Sequence, residues 1–150
     1  MHLPEKPPPR HRAVVMSQKA MVASAHPQAS LTGIDVMRRG GNAFDAAIAI
    51  NAVLNVTQPG MCGIGGDLFA LVYSAKEKKV RFLNGSGRSP QGLDPKPYLG
   101  EQAAAVPLRG IQSVSVPGCV DAWFELSRQY GSLPIKELLM PAIQLAEEGH

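Results

Sequence analysis

From Ala43 to Val56 the chain is small and apolar on nearly every helical face. A helix apolar all round is a buried helix, and its alanines let flanking layers come close. Asn42 stands in front of it with Asp45 three residues on, a variant of the capping box that opens a helix. Pro59-Gly60 closes the stretch. Upstream, Leu31, Ile34 and Met37 recur at three-residue spacing and predict a first helix from about Gln28 to Arg39. Arg38 and Arg39 suit the negative end of its dipole, and Gly40-Gly41 ends it. Before it, Met21 to Ala25 reads as a short apolar strand stopped by His26-Pro27.

Downstream, the glycine-rich run Gly60 to Gly66 leads into a strand, Leu68 to Tyr73. A charged turn, Ala75 to Lys79, returns it as Val80 to Leu83, so the pair reads as a hairpin. Asn84 to Pro90 is a second glycine-rich loop, residues 91–112 are irregular, and Val114 to Val116 predicts another short strand. A third helix follows from about Val120 to Tyr130, with Val120, Trp123 and Phe124 facing inward and Gly131 as its C-cap. The last helix begins near Pro134, a favoured first-turn residue. Its inner face is Ile135, Leu138, Leu139, Ile143 and Leu145, Pro141 should kink it, and Gly149 ends it. Helices and a hairpin in this order predict an α/β domain of the α+β kind.

A length of 150 residues suits one domain. With 45% hydrophobic and 18% charged residues, the chain can build a core and is not disordered throughout. Residues 1–18 are the exception. Pro4 and Pro7-Pro8-Pro9 favour extended polyproline geometry, so a disordered leader is expected there and the folded domain over 19–150. Lys6, Arg10, Arg12 and Lys19 against Glu5 account for the net charge of +3. No aromatic residues interleave with them, so a solvated tail is expected and no nucleic-acid partner. No apolar run follows these charges, which speaks against a secretory signal and for a cytoplasmic protein. Nor is there a stretch of about 20 apolar residues to cross a membrane. Cys62 and Cys119 lie too far apart for a metal knuckle or a redox pair. Two reduced, buried thiols are the preferred reading, with a single disulfide the other.

Gly63-Ile64-Gly65 does not make a dinucleotide site. Leu68 stands where the third glycine belongs, and the order is helix, loop, strand instead of strand, loop, helix. There is no phosphate loop and no nucleophile elbow around Ser86 or Ser89. His26 is the one histidine inside the folded part apart from terminal His150, so a zinc site is not expected. Followed by Pro27, it suits a strand end or a helix cap better than a catalytic base. No metal and no cofactor is expected. The polar residue that stands out is Arg88, in a loop where glycines and serines leave room for a ligand. A guanidinium there can take a carboxylate in a two-bond fork or hold loop carbonyls.

Several segments, taken together and in order, resemble one family. Val22-Ala23-Ser24-Ala25-His26-Pro27, Gly40-Gly41-Asn42-Ala43-Phe44-Asp45-Ala46-Ala47 and Gly63-Ile64-Gly65-Gly66 resemble the start of gamma-glutamyltranspeptidases (glutathione hydrolases). Val116-Pro117-Gly118, Leu133-Pro134, Pro141-Ala142-Ile143 and Glu147-Glu148-Gly149 continue the likeness, which spans residues 21–150. Each piece alone is weak, whereas the ordered set is specific.

The resemblance implies part of a four-layer αββα N-terminal-nucleophile hydrolase. Such precursors cut themselves, and the new N-terminal threonine of the small subunit attacks a gamma-glutamyl amide. Of the two threonines here, Thr32 falls in the first helix and Thr57 at the end of the second, so neither stands at a cleavage junction. The nucleophile is therefore expected beyond residue 150, the chain to be a large-subunit portion silent on its own, and its partners to be the small subunit and a gamma-glutamyl substrate. In the family an arginine four residues before a proline binds the substrate carboxylate. Counting back from Pro90, that place holds Ser86, and Arg88 lies two positions later. Arg88 and Ser86 are thus the expected substrate-binding residues. The shift leaves two further readings: an acylase of the same fold acting on non-glutamyl amides, and a catalytically silent binding or structural piece.

Overall fold

The computed structural model describes residues 14–99 and 105–150. Its elements are helices α1 (Pro27–Arg38) and α2 (Ala43–Thr57), strands β1 (Leu68–Ser74) and β2 (Lys79–Gly85), and helices α3 (Cys119–Tyr130) and α4 (Ile135–Glu148). Two short 3-10 turns, Lys96–Tyr98 and Ile111–Ser113, punctuate the long connection between β2 and α3. Most of the expected leader, residues 1–13, lies outside the described residues, and residues 14–18 are exposed and without regular structure.

Helix α2 is the hub. It packs against α1, α3 and α4, while α3 also touches β2. The core is Ile48, Ala49 and Val53 of α2 with Val36, Trp123, Leu126 and Leu138 from its neighbours. Burying one such large aliphatic side chain contributes roughly 1.5–3 kcal/mol. Asn42 caps α2 as its sequence predicts: its Oδ1 accepts from the Phe44 and Asp45 amides, and Asp45 Oδ2 accepts from the Asn42 amide at 2.9 Å. The same pair reaches across the fold. Asn42 Nδ2 donates to the Tyr130 carbonyl at 2.6 Å, and both Asp45 oxygens accept from the Ser132 amide at 3.1 Å. The start of α2 is thereby tied to the turn between α3 and α4.

The buried faces differ from the expected stripes, and small residues are the reason. Helix α1 buries Ala29, Thr32, Gly33 and Val36, whereas Leu31 of the expected stripe is 58% exposed. At Gly33 an added Cβ would lie 2.5 Å from the Ile50 Cδ1 methyl, so the Ile50 side chain packs directly on the bare backbone and would have to shift for anything larger. Helix α3 buries Cys119, Ala122, Trp123 and Leu126, and turns the expected inner residues Val120 and Phe124 outward. In α4, Leu138 and Ala142 are buried and Ile143 is exposed. Helix α2 is not covered on every side by the described residues, since Ala43 and Ala47 are exposed. Pro141 sits inside α4, which runs on past it.

The hairpin forms as expected, with β1 and β2 antiparallel in the register Leu71↔Phe82. Phe69, Leu71, Tyr73, Val80 and Phe82 share one face, each 59–76% exposed. Two expected strands are absent among the described residues. Val114 to Val116 has no ladder: its amide bonds are a turn bond from Val114 to the Ile111 carbonyl at 3.3 Å and one from Val116 to the Arg88 carbonyl at 3.1 Å. Met21 to Ala25 runs with alternating exposure, as a strand does, but no described segment pairs with it.

Candidate functional site

Three loops meet at the end of the hairpin beside the start of α3. Gly66-Asp67 enters β1, Asn84 to Ser89 leaves β2, and Ser115 to Gly118 enters α3. The turn after β2 starts locally, with Asn84 Oδ1 accepting from the Ser86 amide at 3.0 Å. Asp67 then joins the three. Its Oδ1 accepts from the Gly87 amide at 3.3 Å and from the Ser115 hydroxyl at 2.7 Å. The Gly66 carbonyl accepts from the Gly118 and Cys119 amides at 3.1 and 3.0 Å. Gly87 runs so close to the neighbouring segment that a Cβ on it would overlap the Val116 carbonyl oxygen. The chain can pass there only as glycine.

These contacts leave an open cavity of about 490 Å³, lined by Ser86, Arg88, Ser89, Gln91, Val116 and Asp121 among others. That volume suits a small-molecule ligand. The structure thus brings the two expected residues, Arg88 and Ser86, onto one cavity. Both are exposed, so a ligand can reach them. The ion pairs among the described residues are Arg38–Asp35, Arg81–Glu77 and Arg128–Glu125, and none engages Arg88. The loop carbonyl of Arg88, not its side chain, makes the local backbone bond. Asp67 and Asp121 were not singled out by sequence. An aspartate directly after a double glycine, a side chain beside backbone bare enough to bond, was the signal for Asp67.

The Ser115 hydroxyl, followed by the Gly87 amide and the Ser86 hydroxyl, holds the Asp67 carboxyl below its ordinary pKa against an opposing contribution from desolvation. A carboxyl depressed in the folded state stabilises above its unfolded pKa and loses that contribution as pH falls through the folded one. The Asp67 links are therefore expected to persist from neutral pH through the ordinary carboxylate range and to fail only below it. Following the Gly87 amide resonance through an acid titration checks this. A Gly87 shift titrating within or above the ordinary carboxylate range would contradict it.

The other reactive groups are otherwise occupied. Thr32 Oγ1 donates to the Gln28 carbonyl at 3.0 Å and Thr57 Oγ1 to the Val53 carbonyl at 3.1 Å, each back-bonded within its own helix. His26 caps α1, its Nδ1 accepting from the Gln28 amide at 3.3 Å, which is the capping role. Both cysteines are free thiols, Cys119 buried as expected but Cys62 only half-buried. Burial, then the proximity of Cys62, pushes the Cys119 thiol up, away from the thiolate a nucleophile needs. Asn51 Oδ1 accepts from the Trp123 indole at 2.8 Å beside it, a packing role. No described helix is long and apolar enough to cross a membrane.

The sequence model of the family described as gamma-glutamyltranspeptidase matches residues 29–150. The glutathione hydrolase-like YwrD proenzyme of Bacillus subtilis is 44% identical over 136 residues, which is 90% of this chain and 26% of that protein. Among solved structures, a cephalosporin acylase from Bacillus halodurans superposes with a TM-score of 0.83 at 44% identity, covering 100% of this chain and 28% of the acylase. The gamma-glutamyltranspeptidase of Helicobacter pylori gives a TM-score of 0.80 at 33% identity, over 91% of this chain and 40% of the other. The expected fold class holds: the helices and hairpin are a portion of the N-terminal-nucleophile hydrolase fold that these proteins share. The chain spans about a quarter of the length of the curated relatives it matches.

Proposed function

Because this chain belongs to the gamma-glutamyltranspeptidase family, a family of enzymes, we propose that the whole protein hydrolyses or transfers gamma-glutamyl amides such as glutathione. The observation that carries this reading is Arg88 and Ser86 on one open cavity, with no ion pair at Arg88 among the described residues. Arg88 takes the donor's α-carboxylate in a bidentate fork, and Ser86 adds a neutral donor beside it. Neither threonine of this chain is free to attack. The reactive threonine accordingly belongs to the region of the relatives that this chain does not match. Its hydroxyl oxygen bonds to the amide carbonyl carbon and its proton passes to the free α-amine. Collapse expels the leaving amine, which takes that proton from the α-ammonium, and leaves an acyl ester, which water or an acceptor amine then cleaves. The bare apolar hairpin face fits this arrangement, as a surface for a second sheet to cover.

A second reading, an acylase for other amides, is favoured by the displacement of the arginine from the place held by Ser86. Three anilides separate the readings: gamma-glutamyl, glutaryl, which lacks the amine, and 4-aminobutanoyl, which lacks the carboxylate. The processed enzyme should prefer the gamma-glutamyl compound, and preference for another acyl group supports the acylase instead. Arg88→Ala is expected to lower kcat/KM about 10–100-fold on the two carboxylate-bearing substrates, as loss of a charged hydrogen-bonded pair implies. The 4-aminobutanoyl compound should be unaffected. Equal losses on all three would refute the carboxylate role.

A further inference from the structure

The two cysteines, far apart in sequence, come to one corner of the fold. Cys119 opens α3, and its Sγ lies 3.7 Å from Asn51 Oδ1 on α2. One turn further along α3, the Trp123 indole donates to the same oxygen at 2.8 Å. Trp123 and Asn55, which is one turn along α2 from Asn51, then line an apolar cavity of about 440 Å³ whose wall includes Cys62. The backbone closes the circuit. The Cys119 amide donates to the Gly66 carbonyl at 3.0 Å, and the Gly66 amide donates to the carbonyl of Gly63, the residue after Cys62, at 3.1 Å. That turn folds Cys62 back towards the start of α3. The Cys119 thiol, raised first by burial, is raised further by Cys62, as a second thiol close by does. Among the described residues no third histidine, cysteine or carboxylate joins them in a group that could hold a metal ion.

The two thiols differ in access. Cys119 is 3% exposed, whereas Cys62 is half-buried on the cavity wall. The loop that carries Cys62 has room to shift, since a Cβ added at Gly60, Gly63 or Gly65 would meet nothing within 4 Å. We infer that Cys62 and Cys119 form a reversible disulfide that locks the glycine-rich loop before β1 onto the first turn of α3. The Cys62 sulfur, which solvent reaches, attacks a small-molecule disulfide. A bond to Cys62 forms, the disulfide bond breaks and one thiolate leaves. The Cys119 sulfur then attacks the Cys62 sulfur, expels the second thiolate and closes the bridge. The two protein thiol protons pass to the two departing thiolates, so two cysteines are oxidised and one small disulfide is reduced to two thiols. Excess small thiol reverses both steps. The lock bears on the candidate site, because the same loop delivers Gly66 and Asp67, whose bonds hold the three loops together.

The test treats the whole native protein with bis(2-hydroxyethyl) disulfide, which offers the enzyme no amide to cleave. Remaining thiols are blocked with N-ethylmaleimide, and the protein is digested with trypsin without reduction. Peptides 40–76 and 110–128, which carry the two cysteines, are expected to emerge joined and to separate on adding dithiothreitol. The urea midpoint of the oxidised protein should rise above that of the reduced one, because the bridge restricts the unfolded chain. Cys119→Ser should halt after the first step and keep a hydroxyethylthio group on Cys62, an adduct that the parent does not retain. Cys62→Ser should yield no joined peptide and leave Cys119 unmodified. Free thiols or a lasting Cys62 adduct in the parent overturn the inference, as does a joined peptide that forms only in urea. A midpoint lowered by oxidation overturns the lock, since the bridge would then oppose the native fold. The parent and Cys62→Ser decide the matter even where Cys119→Ser fails to fold.

Discussion

Gly87→Ala should destabilise the protein by at least about 3 kcal/mol and dismantle the candidate site. The methyl group would overlap the Val116 carbonyl oxygen, and this obstacle is backbone, which no rotamer change can clear. Either the loop after β2 or the segment before α3 has to move. Both carry bonds that such a shift breaks: Val116 amide to Arg88 carbonyl at 3.1 Å, and Gly87 amide to Asp67 at 3.3 Å. Urea unfolding measures the loss, and the Asp67–Ser115 contact reports whether the three loops still meet. An alanine variant with the parent's midpoint would show that the close approach is not maintained in solution.

Asp45→Ala is expected to cost about 3 kcal/mol, more than loss of an ordinary helix cap. A cap replaced by alanine costs roughly 0.5–2 kcal/mol. Here the carboxylate is fully buried and serves two amides from distant parts of the chain, Asn42 and Ser132. Truncation removes the acceptor of both amides, one at half-buried Asn42 and one at exposed Ser132, and a hydrogen bond to a charged group contributes about 1.5–3 kcal/mol. Asn42→Ala removes the local cap and the bonds to Tyr130 and Ser132 but leaves the carboxylate in place. Denaturation midpoints of the two variants should therefore differ, Asp45→Ala being the lower. The reverse order would mean that the link to Ser132 contributes little.

What could be read from the sequence was local. The capping box at Asn42 and Asp45, the stop at Gly40-Gly41, the cap at Gly131 and the hairpin pairing depend on neighbours within a few positions, where residue type determines geometry. Which face a helix buries depends on what it meets. Helix α1 meets α2 through Gly33 and Ala29, so the largest apolar residues, the basis of the expected stripe, were pushed aside. Val120 and Phe124 on α3 mislead for the same reason, and Ala122 lies against Gly85 in their stead. Strands need a partner, and neither Met21 to Ala25 nor Val114 to Val116 finds one among the described residues. At the site, Arg88 and Ser86 stood out because they sit in a glycine-rich loop. Asp67 and Asp121 join them only through loops that are distant in sequence and meet in space.

The link from Asp45 to Ser132 spans 87 positions. At ribosomal rates of roughly 5–20 residues per second, about 4–17 s separates the synthesis of its two ends. Helix α1 can meet α2, and β1 can meet β2, early in that interval, because those partners are neighbours in sequence. The flank of α2 that α4 later covers has no such early partner. For some seconds the nascent chain thus exposes the apolar side of its longest described helix, the kind of surface that makes a partly folded chain prone to aggregate.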